Sequence, residues 1–242
     1  MDRQTDRQTD RQTDQYTLPF SLNEIETVFN RHGISRDNWH YNFYLEFGTA
    51  EKLPVSRKFM LDYIANNFPK ESNVLDVACG TGMISFLLAK MGFSNIYAFD
   101  YDETLISIAK DLSALRAYNI EFDVDTAFDP KRDLTNINIA IFFGWVACSY
   151  GFKAAADENN SVMKTVESLF SIYNFKVGTY IFFDIYDDLS NYRYNQTLHE
   201  RIHTIKREEL EPILSKYGYE IVDKCYDANN FIKIVYVLKK VR

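Results

Sequence analysis

The sequence is poor in the residues that mark secreted, fibrous and membrane-spanning chains. Its three cysteines, Cys79, Cys148 and Cys225, are scattered and odd in number. They form no disulfide framework and read as reduced thiols of a cytoplasmic protein. Nine glycines and five prolines in 242 residues exclude a collagen-like or Pro/Gly-rich low-complexity chain. No apolar run approaches the ~18 residues of a membrane span. The polar N-terminus does not read as a secretory signal. Basic charge is short as well: 27 Lys and Arg face 34 Asp and Glu, a net charge of −7. That argues against a nucleic-acid partner, which wants a basic face.

What is abundant is apolar and aromatic. Hydrophobic residues make up 46% of the chain and aromatics 16%, with 19 Phe and 17 Tyr. This is ample for the core of one α/β domain, with rings left over to line a pocket. The N-terminus is different. Asp2-Arg-Gln-Thr5 repeats through Thr13, without an apolar residue. Residues 1–15 are therefore expected to be a disordered tail, with the folded part beginning near Tyr16. The tetranucleotide GACA, read in consecutive triplets, encodes this repeat. A slippage-prone tract of that kind suits switchable enzymes that decorate surface glycans.

One stretch organises the rest. Asn73-Val-Leu-Asp-Val77 is a short β-favouring apolar run, broken by Gly80 and Gly82. From Met83 to Met91 the apolar residues resume at helical spacing, and Gly92 ends them. The pattern is strand, tight glycine turn, helix. Gly80 and Gly82 admit positive φ and let the backbone approach a ligand that the helix amides face. A β-branched residue at Gly82 is expected to fill the space the ligand occupies. A dinucleotide fingerprint wants Gly or Ala where Gly80-Thr-Gly82-Met-Ile-Ser85 has serine. Asp76, inside the strand, suits a ligand that carries an ammonium group.

Val74-Leu-Asp-Val-Ala-Cys-Gly-Thr-Gly82 resembles the first motif of class I S-adenosylmethionine-dependent methyltransferases. The resemblance covers Val74 to the C-terminus in order. It implies a three-layer α/β Rossmann-like fold with a seven-stranded mixed sheet, order 3-2-1-4-5-7-6. It divides residues 16–242 into an N-terminal lid (16–70) and a core (71–242). It implies S-adenosylmethionine as cofactor, with Asp76, Ala78, Gly80, Thr81 and Gly82 at its methionine moiety. Asp100, twenty residues beyond Gly80 at the end of the second strand, would take the ribose hydroxyls. Tyr101 would pack on adenine, and Asp125-Thr126 would read the adenine amine. Asp125 capping a turn is the plainer alternative. Phe143 ends the strand that forms the floor of the site. No Asn- or Asp-Pro-Pro-Tyr follows it, so acceptors with planar amino groups are not indicated. A small-molecule or glycan-type acceptor is the expectation. The oligomeric state is not encoded in any motif.

Other segments carry further expectations. Ser21-Leu-Asn-Glu24 is a capping box ahead of a helix, with Phe20 and Ile25 as a hydrophobic staple. Trp39 to Phe47 alternates ring and polar residue, which favours a strand over a helix. A helix over Val55–Asn67 follows. Asp184, Asp187 and Asp188 read as a solvated, capping loop more readily than as a metal cluster. His199-Glu-Arg-Ile-His203 fits His-Glu-x-x-His, the zinc metalloprotease pattern, but has no continuation and reads as chance; no metal is expected. An NAD-dependent dehydrogenase is the other enzyme alternative, and its Tyr-x-x-x-Lys match falls only at Tyr236–Lys240. His40, His199 and His203 are the candidate bases. None is assigned a catalytic role.

Overall fold

The computed structural model describes residues 15–47, 53–143, 162–188, 207–227 and 232–242. The repeat tail, Cys148, the segment with His199 and His203, and the last hairpin's tip lie outside them. The described elements run α1 (Leu22–Arg31), α2 (Trp39–Phe47), α3 (Val55–Asn67), β1 (Asn73–Val77), α4 (Met83–Lys90), β2 (Asn95–Asp100) and α5 (Glu103–Ala114). They continue as β3 (Ile120–Val124), β4 (Ile139–Phe142), α6 (Val162–Ile172), β5 (Tyr180–Asp188), α7 (Arg207–Lys216), β6 (Tyr219–Asp227) and β7 (Ile232–Lys240). The strands form one seven-stranded sheet, ordered β3-β2-β1-β4-β5-β7-β6. β4 is parallel to β1 and β5, and β2 is parallel to β3. β7 is antiparallel to β5 and β6, so the sheet is mixed, as the resemblance implied. No helix among the described residues is long and apolar enough to cross a membrane.

The chain divides into two compact units. The first holds Met1–Ser72 and Cys79–Val124; the second holds Asn73–Ala78 and Asp125–Arg242. In the second unit, β1, β4, β5 and β7 are near-continuous apolar runs, as strands covered on both faces must be. Ile139 to Phe142, Ile181 to Phe183 and Ile234 to Leu238 are all buried. Phe170 of α6 packs its ring on Phe183 and Tyr219. The Thr179 hydroxyl donates to the Ile137 carbonyl (2.7 Å), which satisfies a buried side chain at the start of β5.

The solvated-loop reading of Asp184 fails here. β5 runs on through Asp188, and Asp184 is 0% exposed, opposite Val235 of β7. Tyr-Ile-Phe-Phe ahead of it supplies the β-propensity, and the antiparallel ladder carries the strand past the acidic residues. Among the described residues no three His, Cys, Asp or Glu side chains are grouped to hold a metal.

In the first unit the expected capping box is present. Ser21 Oγ accepts from the Glu24 amide (3.3 Å), and Glu24 accepts from the Ser21 amide (2.8 Å). Phe20 meets Phe86 edge-on. Glu24 also receives the Arg116 guanidinium (2.7 and 2.8 Å), and Asp111 of α5 takes both Arg31 and His32 at 3.0 Å. These pairs join α1 to the α5 region.

Trp39–Phe47 is a helix, not the strand its alternation favoured. The Asn38 side chain accepts from the His40 amide (2.8 Å), and its carbonyl accepts from the Asn42 amide (3.0 Å). That is an N-cap, which starts a helix. Tyr41 and Tyr44, three apart, are both buried and share a face against Phe29 of α1. With rings at so many positions, period 2 and period 3.6 both found matches, and tertiary packing chose.

The Glu24 contacts yield a pH test. The Arg116 guanidinium, then the Ser21 amide and hydroxyl, hold the Glu24 carboxyl down at about 2. An unfolded Glu titrates near 4.3, so Glu24 stabilises the fold above that pH and loses its contribution as pH falls toward 2. Glu24→Gln should cost roughly 1 kcal/mol near neutrality, since the pair is partly solvated. In urea melts the gap between wild type and variant should shrink as pH falls to about 3. A gap that does not change with pH would contradict this assignment.

Candidate functional site

The glycine turn is built by three left-handed residues in alternation. Ala78 has φ 55°, Gly80 57° and Gly82 82°. Ala78 is a non-glycine residue in this region, a conformation that costs free energy and collects at functional sites. The Gly82 amide donates to the Cys79 carbonyl (3.0 Å), closing the turn, and the Cys79 amide donates to the Phe99 carbonyl of β2 (3.0 Å). Gly82 is the N-cap of α4 and offers no side chain to the first helical amides. Those amides and the positive end of the helix are what a polar ligand group would meet.

Asp100 fixes the turn from β2. Its Oδ2 accepts from the Gly80 amide (2.9 Å) and its Oδ1 from the Asp102 amide (3.0 Å). The carboxylate is buried, which pushes its pKa up, and the backbone amides of Asp102 and Gly80 pull it back. Asp102 in turn caps α5, accepting from Thr104 (2.8 Å) and Leu105 (3.2 Å). The Tyr101 amide also reaches this carboxylate, which still has acceptor capacity for a hydroxyl donor.

α2 covers the turn. The Tyr44 hydroxyl donates to the Thr81 carbonyl (2.6 Å) in a buried contact. The His40 ring lies against Gly80, where a Cβ would sit 3.8 Å from Cε1 and 3.9 Å from Nδ1. Burial lowers the His40 pKa, and the nearby Asp102 charge opposes that shift. Neither contact was legible in the sequence, because no local signal says what Tyr44 and His40 pack against.

Gly82 serves a different end from the one its sequence context implied. A Cβ there would fall 2.7 Å from Cζ of Phe122 and 3.3 Å from Cε2 of Phe86. The space beside Gly82 belongs to β3 and α4, not to a ligand. Ser85, in the third place of the pattern, is fully buried, as a small packing residue should be. α4 is buried all round over most of its length: Met83 to Leu88 are covered without a break, wider than a one-sided stripe.

The remaining candidates lie as follows. Tyr101 follows Asp100 and is 59% exposed. In the second unit Asp76 is buried in β1, paired with Ile141 of β4. Asp125 is buried and caps its own turn, accepting from Thr126 (2.8 Å) and Lys131 (2.9 Å). The neighbouring Thr126 is exposed, and its hydroxyl oxygen accepts from Phe128 (3.4 Å). Phe143 follows β4 and is partly buried. Of all these groups, Gly80, Thr81, Gly82 and Asp100 are joined by the geometry described above.

Comparison with known proteins agrees with this geometry. The family described as "Methyltransferase domain" matches residues 69–231, so the chain belongs to it. The chain's Rossmann-like sheet order is the fold that solved methyltransferases share with it. A ribosomal protein L11 methyltransferase of Thermoanaerobacter pseudethanolicus is 30% identical over 99 residues, 39% of this chain and 32% of that protein. The chain thus spans about a third of the curated relatives of this kind. An S-adenosylmethionine-dependent methyltransferase of Clostridium acetobutylicum has the same fold, with TM-score 0.59 and 16% identity over 86% of this chain and 100% of that one. The magnesium protoporphyrin IX methyltransferase of Synechocystis, solved with S-adenosylhomocysteine, superposes with TM-score 0.57 and 15% identity, covering 90% and 99%.

The two glycines can be told apart by substitution. Gly80→Ala should cost about 1 kcal/mol from left-handed strain alone. Gly82→Ala should cost at least about 1 kcal/mol more, because the methyl strikes Phe122. Thermal melts should also show Gly82→Ala partly recovered by Phe122→Leu. Equal losses at the two glycines, or no recovery, would contradict the packing role.

Proposed function

We propose that the chain methylates a small-molecule or glycan-type acceptor in the cytoplasm, with the turn at 78–82 and Asp100 as the core of its cofactor site. The observation that carries the reading is the buried Asp100 carboxylate locked to the Gly80 amide beside an uncapped helix start. The residues suit the cofactor. The left-handed turn brings backbone close, the buried Asp100 carboxylate would accept from vicinal hydroxyls, and Tyr101 would offer its ring to a base. Asp76 is assigned to the ammonium group and Asp125-Thr126 to the adenine amine, with Phe143 on the floor. Residues 16–70 serve as the lid.

The cofactor supplies a methyl group already activated on a sulfonium, so the acceptor attacks in line and no strong acid is needed. The protein's share is to hold distance and alignment and to keep water out. A hydroxyl acceptor needs a base and an amine only loses its proton, so the acceptor type decides whether an imidazole takes part. The net charge of −7 supports a non-nucleic-acid acceptor. A protein acceptor is the second reading, favoured by the match to the L11 enzyme.

Calorimetry should show binding of S-adenosylmethionine and S-adenosylhomocysteine but not of NAD. Asp100→Ala should weaken either by about 1.5–3 kcal/mol, the size of lost hydrogen bonds to a charged group. Binding of NAD alone would sink the cofactor reading, and an unchanged affinity would leave Asp100 a purely structural residue.

The acceptor class is open to a separate assay. Methyl-labelled cofactor with fractionated cell extract should place label in the small-molecule or polysaccharide fraction. Label recovered only on protein would transfer the conclusion to the second reading.

A further inference from the structure

The face of α2 that carries Tyr44 also carries His40, one turn earlier. Tyr44 pins this face to the turn through the Thr81 carbonyl (2.6 Å). The imidazole lies in van der Waals contact with the place a Gly80 side chain would take, with Nδ1 3.9 Å and Cε1 3.8 Å from that position. Asp100 holds the same residue by its amide (2.9 Å). One residue of the turn is thus bracketed by a carboxylate and an imidazole. The turn therefore answers to two titratable groups and not only to backbone shape.

We propose that His40 is a positioning residue through which the turn distinguishes the charged cofactor from its neutral product. This rests on the reading of the turn as the cofactor site. S-adenosylmethionine carries a sulfonium cation; S-adenosylhomocysteine is a neutral thioether with the same amino-acid and nucleoside groups. The difference in their affinities therefore isolates the effect of charge at sulfur. A neutral imidazole leaves the sulfonium undisturbed. An imidazolium at the turn repels it and leaves the thioether unaffected, so protonation turns the site from substrate-preferring toward product-preferring.

The charged and titratable surroundings of His40 set the direction. Asp102, the cap of α5, is the charge whose field reaches the ring. Asp100 lies across the Gly80 amide, Cys79 flanks the turn, and Tyr41 and Tyr44 stand on the same helix. From α1 the contact with this helix is the apolar ring of Phe29. Burial outweighs Asp102 and keeps the imidazole neutral at pH 7 and above. Because burial holds the pKa below the ordinary histidine value near 6.5, the imidazolium forms only on acidification beyond that value. Asp100, whose carboxyl is pushed up, loses negative charge on acidification and acts in the same direction. A variant at position 40 separates the two.

The test is the ratio of dissociation constants, S-adenosylmethionine over S-adenosylhomocysteine, measured by calorimetry on the full chain at pH 8 and in steps down to the lowest pH at which the chain stays folded. The wild-type ratio should rise roughly tenfold on acidification, the size expected for two unit charges facing each other in a half-buried site. In His40→Gln, which keeps a polar side chain without the proton switch, the ratio should stay nearly flat. His40→Lys, a fixed cation, should show the raised ratio already at pH 8. A wild-type ratio that does not move, or one that moves equally in His40→Gln, overturns the proposal while the cofactor reading stands. Failure of the wild type to bind either ligand at pH 8 overturns both.

Discussion

One buried carboxylate sets the geometry on which the rest of the site depends. Asp100 ends β2 with both oxygens committed to backbone amides, one in the turn before α4 and one at the cap of α5. A buried charge is tolerated only when hydrogen bonds replace lost water, and here two amides do so. The same bonds fix Gly80, and with it the left-handed alternation of Ala78, Gly80 and Gly82. The strain in that alternation is held by the surroundings. Phe122 and Phe86 close around Gly82, and the Cys79 amide is tied to Phe99. The turn is preorganised, so a ligand need not supply the free energy to shape it.

The second constraint is the cover that α2 provides. Tyr44 donates to Thr81, and Tyr41 and Tyr44 pack on Phe29, so α1, α2 and the turn share one set of contacts. α1 is itself joined to the α5 region by Glu24–Arg116 and by Asp111 with Arg31 and His32. Residues that read as additions ahead of the first strand thus belong to the same compact unit as the turn. The lid proposed for residues 16–70 draws on that packing, which sets the His40 ring beside Gly80.

The strand–turn–helix and the capping box were legible because each rests on local chemistry: a β-favouring run, positive-φ glycines and a Ser-x-x-Glu signal. The motif resemblance then supplied the topology that periodicity alone does not. What the sequence hid was decided by packing. Asn38 signals an N-cap, yet the dense rings of Trp39–Phe47 also matched a strand. Nothing local marks Ala78 as left-handed, or Gly82 as facing Phe122 and not a ligand. Asp184 looked solvated beside two more acids, and the ladder to β7 buries it. Of the ten candidate site residues, those on the turn and at the end of β2 shared enough spacing to be placed together. Asp125, Thr126 and Phe143 came from resemblance alone.

The central claim is that a ligand meets the turn held by Asp100. Backbone amide chemical shifts of the isotopically labelled chain, followed while S-adenosylhomocysteine is added, test it most directly. The account predicts the largest changes at residues 78–83 and 100–102, with the Gly80 amide slow to exchange with solvent before ligand is added, because Asp100 already binds it. Saturable shifts confined to other parts of the chain, or a Gly80 amide that exchanges as freely as an exposed loop, would contradict it.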